Sequence, residues 1–322
     1  MLANRFPLLL WWGPRYISIY NDAYRPVLGT KHPWALGRPV SELWGEIWSV
    51  LKPLIDTPFE GGAATWMDDI ELHSNRHGFL EESHFTIAYS PVPDDTAARG
   101  IGGVLATVHE ITEKVIGERR IVILRDLGSR ASHAKTAEDA CAVAAAVLSN
   151  HAKDVPFALL YLIDPKRNSA RLAGAAGVAP GEAVSPMQMS IGASFAPWPV
   201  AEVLQRQEIV IVDNLARHFN GVPTGPWGDP PHSAVLVPLH SNKLVGFVIA
   251  GVSSRLLLDY LYRSFFELMA AQIATSIASA GAYEEERKRA EALAEIDRAK
   301  TAFFSNISHE FRTPSDIVVR AA

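Results

Sequence analysis

The sequence predicts an α+β protein: two antiparallel-sheet domains in tandem, joined by helices and followed by one long helix. Three observations predict it. Strand-like runs bounded by turn residues gather in residues 7–116, similar runs return in residues 157–252, and a tract with no proline extends from about Asp259 to Ser308. The chain has 322 residues, of which 48% are hydrophobic, enough for two ordinary domains and connecting helix.

In the first part the runs are Pro7–Trp12, Arg15–Tyr20, Thr65–His73, Phe79–Pro91 and Gly103–Ile111. The last three are separated by turn material, Ser74-Asn75-Arg76-His77-Gly78 and then Pro91 to Gly100, as in an antiparallel meander. Trp34–Trp48 and Val50–Thr57 read as helical or loop-like insertions. Six of the eight tryptophans (11, 12, 34, 44, 48 and 66) fall here, so they are expected to build a core, with some placed to line a ligand cavity. His73 and His77, near Glu71, Glu81, Glu82 and His84, bracket the first turn instead of sharing a helix face. They are therefore read as solvated turn residues, and no metal site is assigned.

Glu110–Leu127 is rich in helix formers and reads as a link. Thr136-Ala137-Glu138-Asp139 then offers a capping-box-like start to a helix whose Ala140, Val143, Ala144, Val147 and Leu148 recur at helical spacing. Cys141 lies on that apolar stripe. It is the only cysteine, so it makes no internal disulfide and is expected to be a buried core thiol rather than a chromophore attachment point. Strand-like runs follow at Phe157–Ile163, Ala170–Gly174, Ile209–Asp213, Ala234–Leu239 and Val245–Val252, with helix-like Val200–Gln207 among them. The Pro/Gly-rich stretch Asn214–His232 reads equally as a lid over a cavity or as a surface loop.

From Asp259 to Ser308 the only glycine is Gly281. Leu293, Ile296, Lys300, Phe303 and Ile307 are spaced 3, 4, 3 and 4, a heptad seam interrupted by one charge. Arg287-Lys288-Arg289 follows Glu284-Glu285-Glu286, a solvated helix face. A net charge of -5 and a pI near 6.1, at a mean hydropathy of +0.07, argue against general affinity for nucleic acid or an anionic membrane. Neither long uncharged stretch, Ala183–Ala201 nor Leu268–Tyr283, has the roughly 20 apolar residues of a membrane span. A single cysteine and no signal peptide fit a cytoplasmic protein.

The residues also carry resemblances. IYNDAYRPVLGTKHPWALGRPVSELWGEIW, followed by GGVLATVHEITEKV, resembles a PAS domain of bacterial sensor kinases. ALLYLIDPKRNSARLAGAAG with VLVPLHSNKLVGFVIAGVS resembles a GAF domain. FFSNISHEFRTP, preceded by EIDRAKTAFF, is very similar to the phosphoacceptor box of sensor histidine kinases. The chain then divides into a PAS-like sensor at 1–116, a linking helix at 117–135, a GAF-like sensor at 136–280, and a signalling helix with the start of the dimerisation and phosphotransfer domain at 281–322.

What the last resemblance implies is ATP-dependent phosphorylation of His309 and relay to an aspartate of a response regulator. A neutral imidazole is a competent nucleophile near neutral pH. Glu310 resembles the family's acid/base residue, and Thr313, one turn on from His309, matches the position that orients water for dephosphorylation. Ser308, His309 and Glu310 are consecutive on a helix and cannot face one another as a hydrolase triad. Pro314 is expected to bend the helix. Only SDIVVRAA follows it, so the second hairpin helix and the ATP-binding domain, with its ATP and Mg²⁺, are expected to lie beyond this chain. Ser315 and Asp316 depart from the apolar residues usual there.

Gly100-Ile101-Gly102-Gly103 precedes a strand and so is a turn, not a phosphate cradle. The chain alone is therefore expected to bind no cofactor and to be inactive as a kinase. Its expected partners are a second copy through the C-terminal helix, a response regulator and an unidentified small-molecule ligand. The alternative is a non-catalytic dimeric sensor with a vestigial histidine box. A small-molecule enzyme has no supporting constellation.

Overall fold

The computed structural model describes residues 1–131, 134–164, 166, 168–192, 198–241 and 244–319, with backbone alone for 131, 305, 306 and 308–319. Alternating apolar residues pair the N-terminal runs into a sheet of five antiparallel strands in the order β2-β1-β5-β4-β3. These are β1 Leu8–Trp12, β2 Ile17–Tyr20, β3 Thr65–Asn75, β4 Leu80–Pro93 and β5 Ile101–Glu110. Between β2 and β3 the chain forms α1 Arg25–Leu28, α2 Val40–Leu43 and α3 Trp48–Phe59. They cover one face, with Trp11, Leu28, Leu43, Ile55, Phe85 and Tyr89 in the core. Glu71 and His73 of β3 point to the opposite face from Ile70 and Leu72, because side chains alternate along a strand.

Gly29 ends α1 with φ of +55° beside the β3–β4 turn, where a Cβ would lie 2.4 Å from the Arg76 carbonyl oxygen. Glycine is needed there for both conformation and space. The close approach lets Thr30 donate from its N–H and its hydroxyl to that carbonyl, at 2.9 and 3.0 Å, which holds the turn carrying Arg76.

Helix α4, Thr112–Ala131, leads directly from β5 toward the second sheet. Helix α5, Ala137–Ser149, starts where the Thr136 hydroxyl accepts the Asp139 N–H at 3.1 Å, the cap its sequence predicts. Six antiparallel strands follow in the order β8-β7-β6-β11-β10-β9. They are β6 Ala158–Asp164, β7 Ser169–Ala176, β8 Gln188–Ser190, β9 Val210–Asp213, β10 Ser233–His240 and β11 Leu244–Gly251, with α6 Val200–Arg206 and α7 Leu215–His218 inserted.

The second sheet is packed on both sides. One core sets α4, α5 and the final helix α8, Tyr260–Val319, against the sheet through Ile123, Leu127, Leu148, Val248, Phe266 and Ile273. Cys141 is buried in it. The other face is filled by Trp198, Phe219, Tyr161 and Phe247, the last two stacked at 5.2 Å. Past Ala280 helix α8 leaves the core: Leu293, Ile296 and Phe303 are 67%, 64% and 60% exposed. Pro314 lies within α8, which continues to Val319. No helix among the described residues is long and apolar enough to cross a membrane.

Candidate functional site between the two sheets

Helix α4 carries an apolar stripe of Ile116, Ile123 and Leu127, and Arg119 stands on that stripe, three residues after Ile116 and four before Ile123. A charge placed there must find a buried partner. Arg119 finds two. Its guanidinium holds Glu82 of β4 through two bonds, Nη1 to Oε1 at 2.5 Å and Nη2 to Oε2 at 3.1 Å, and its Nε donates to Asp154 in the loop after α5. The side chains of Glu82 and Asp154 are both fully buried.

The neighbouring Arg120 closes the junction against α8. Its Nε donates to Asp154 at 3.3 Å, and its guanidinium lies 3.9 Å over the Tyr262 ring. Tyr262 donates its hydroxyl to the Asp154 carbonyl and accepts the Ser253 N–H at 3.1 Å. Backbone bonding adds to this: the Glu82 N–H donates to the Arg255 carbonyl at 3.0 Å, and Arg255 pairs with Asp229 at 2.5 Å. The base of α4 is tied as well. Arg76 grips Glu110 with two bonds, of 2.8 and 2.5 Å, and Thr112 donates to Glu110 at 2.9 Å while accepting the His84 N–H at 2.9 Å. The N-terminal sheet, α4, the second sheet and α8 thus share one network of charge-assisted bonds.

The titration of these groups follows from it. Burial by itself raises the Glu82 carboxyl, but the Arg119 bonds and charge, with His84 adding to them, bring it below its ordinary 4.5. Glu110 is treated the same way by burial and then by Arg76. Burial pushes the Cys141 thiol up to about 12. Cys141 should therefore resist iodoacetamide at pH 8 in the folded protein and react fully in urea. Equal alkylation in both conditions would show a thiol outside the core.

The histidines near the first turn are not simply solvated. His73 belongs to β3, lies 3.2 Å from Glu71 and meets the Trp227 ring edge-on at 4.9 Å. His77 holds Glu81 at 2.6 Å. The stretch Asn214–His232 contains α7 and a helical turn at Gly225–Trp227, and it is the latter that reaches the N-terminal sheet. Lys153 binds Glu71 at 3.0 and 3.1 Å and lies 5.0 Å from the same Trp227 ring. In the N-terminal core a cavity of about 30 Å³ is lined by Trp11, Tyr24, Trp44, Phe85 and Tyr89. That is room for about one water. Trp11 Nε1 has no hydrogen-bond partner among the described residues.

The predicted site residues His309, Glu310 and Thr313 fall on the backbone of α8, and their side chains lie outside the described residues. Sequence reasoning missed Glu82, Arg119 and Asp154. The legible signal was Arg119 on the apolar stripe; nothing local marks its partners, which are 37 and 35 residues away.

Residues 131–278 match the family model of the GAF domain, so the second sheet, with α5 and the first part of α8, carries a GAF fold. Among solved structures, the GAF domain of an Acinetobacter phosphoenolpyruvate-protein phosphotransferase is 20% identical, covering 50% of this chain and 93% of its own, with a TM-score of 0.38. The corresponding domain from Coxiella burnetii is 15% identical, covering 51% of this chain and 95% of its own, at 0.40. The photosensory core module of a Stigmatella aurantiaca phytochrome is 14% identical, covering 90% of this chain and 60% of its own, at 0.40. No curated protein matches the chain. The chain is thus an α+β protein that contains a GAF domain at residues 131–278.

Proposed function

We propose that this chain is the sensory and phosphoacceptor part of a two-component sensor histidine kinase, taking phosphoryl from ATP on His309 and passing it to an aspartate of a response regulator. The observation that carries the reading is the course of α8, which runs without interruption from the core of the GAF domain into FFSNISHEFRTP. A displacement of the GAF core is thereby delivered to the histidine box as a tilt or rotation of one rod. The five-strand order β2-β1-β5-β4-β3, with its helices between β2 and β3, supports reading the N-terminal sheet as a PAS domain. Two sensors would then share the junction at Arg119, and a small ligand in either would act through it. Transfer of label from ATP to His309, in the chain joined to the ATP-binding half of a sensor kinase, tests the reading.

Such a relay works between paired helices, and the exposed seam of α8 supplies the contact. Leu293, Ile296 and Phe303 are exposed among the described residues and gain burial against a second copy, and Lys300 sets the register at some cost in stability. Sedimentation at tens of micromolar is expected to show a dimer. Replacing both Ile296 and Phe303 with Asp should shift it to monomer without changing thermal unfolding of the two sheets, and a wild-type chain that sediments only as monomer would sink the paired-helix reading.

A further inference from the structure

Where α4 and α8 lie side by side they leave an apolar groove open to solvent. The Arg120 guanidinium stands over the Tyr262 and Phe265 rings at 3.9 and 5.4 Å, and further along Gly128 lies against the Gln272 side chain, so the two helices run parallel. The groove between them holds about 540 Å³ and is walled by Ile121, Leu124, Leu261 and Leu268, with Leu257 at its rim. Ile121, Leu257, Leu261 and Leu268 are 54% to 71% exposed. Gathered on one groove, large apolar side chains mark a contact surface, whereas leucines scattered singly do not.

The face continues along α8 without charge. From Ser264 to Tyr283 the only charged residue is Glu267, and Leu268, Ala271, Thr275, Ser279 and Ala282 are exposed. The next turns of the same helix carry Glu284-Glu285-Glu286-Arg287-Lys288-Arg289, as a solvated face requires. An exposed helix face that lacks such charge for about five turns belongs to an interface.

The period of α8 names what covers it. Leu268 and Leu261 stand 28 and 35 residues before Ile296, four and five whole heptads, with Thr275 and Ala282 on two of the steps between. They lie on the backward course of the seam that holds Leu293, Ile296 and Phe303. A straight helix drifts about 20° per heptad from such a repeat, and a left-handed supercoil of two copies takes up the drift. Glu286 and Arg289 interrupt the run, so the two apolar tracts are separate contacts on one axis. A two-fold axis along α8 sets each turn of this face opposite itself, where like charges would repel. An uncharged face meets its own copy without that repulsion, and the groove beside α4 receives the ridge of Leu261 and Leu268 on the second copy.

We infer that a second copy of this chain packs, two-fold and parallel, against the groove between α4 and α8, forming a four-helix contact beside the junction of the two sheets. The choice of occupant rests on the reading of α8 as a paired helix. Arg120 lines the groove and shares Asp154 with Arg119, so the contact adjoins the bonds that hold the N-terminal sheet. A displacement of that sheet then reaches the paired helices at Leu261, well before the histidine box.

Crosslinking by a short bis-maleimide tests the inference, on the full chain with Cys141→Ala and one new cysteine. Leu268→Cys and Ile296→Cys should each give a covalent dimer, and Arg206→Cys, on the far side of the second sheet, should give none. In sedimentation, Leu268→Asp should raise the dimer Kd at least about tenfold, a loss of about 1.4 kcal/mol or more. Leu268 is exposed in the single chain, so its variants keep the fold of both sheets. Crosslinking at Ile296→Cys but not at Leu268→Cys, or a Kd indifferent to Leu268→Asp, would overturn the inference and leave the seam standing. Crosslinking at neither would defeat both. Crosslinking at Leu268→Cys alone would support the groove contact and remove the seam.

Discussion

Incubated with ATP and Mg²⁺, this chain by itself should acquire no acid-labile, base-stable phosphate. Phosphoryl transfer depends on positioning the nucleotide and neutralising the moving group, and of Gly100-Ile101-Gly102-Gly103, expected as a turn, the last three residues are the start of strand β5, so this stretch does not open a helix that could hold a phosphate. Joined in frame to the second hairpin helix and ATP-binding domain of a sensor kinase, the chain should take label at His309. His309→Gln should abolish it, and Glu310→Gln should slow it by about 100-fold, the ordinary worth of a positioned acid or base. Label on the unextended chain, or label that survives His309→Gln, would defeat the assignment. A joined chain that dimerises but stays unlabelled would favour the non-catalytic sensor.

Arg119→Met should produce the largest loss of stability of any single change at the junction, about 3 kcal/mol, because breaking a buried pair strands charge that has no access to water. The side chains of Glu82 and Asp154 are both fully buried. Adding Glu82→Gln should recover part of the loss, since the stranded charge is then gone, and a double-mutant cycle in urea measures the coupling. Strict additivity of the two changes would show that the bidentate bond contributes nothing. The same pair predicts the acid limb of stability. Glu82 titrates below its ordinary 4.5 in the folded state, so its contribution is complete above that value and is lost as pH falls through the folded one. Arg119→Met should flatten that loss.

Much of the architecture is legible along the chain. The turn clusters at Ser74–Gly78 and Pro91–Gly100 separate strands that appear at Thr65–Asn75, Leu80–Pro93 and Ile101–Glu110. The Thr136 cap and the stripe through Cys141 start and bury α5 as their spacing requires. The missed elements are short: β8 has three residues at a sheet edge and α7 has four, too few to show a period. The strand runs on to Asn75, whereas His73 ends the strand-like run Thr65–His73 and reads as solvated because it borders a polar turn. Its edge contact with Trp227, from a loop 154 positions later, has no local trace.

By itself the sequence determined where most strands and helices form, that the elements make antiparallel sheets, and that one long helix follows them and carries FFSNISHEFRTP. Those features rest on periodicity, turn residues and helix formers, all of them local in the chain. Only the tertiary structure decided that Arg119 joins Glu82 to Asp154, that Lys153 reaches Glu71 and that Tyr262 holds the Asp154 carbonyl. Charged side chains carry no period and pair with whatever packing brings near. Their partners here are set by how the first sheet, α4 and α8 meet, a long-range property that no window of neighbouring residues contains.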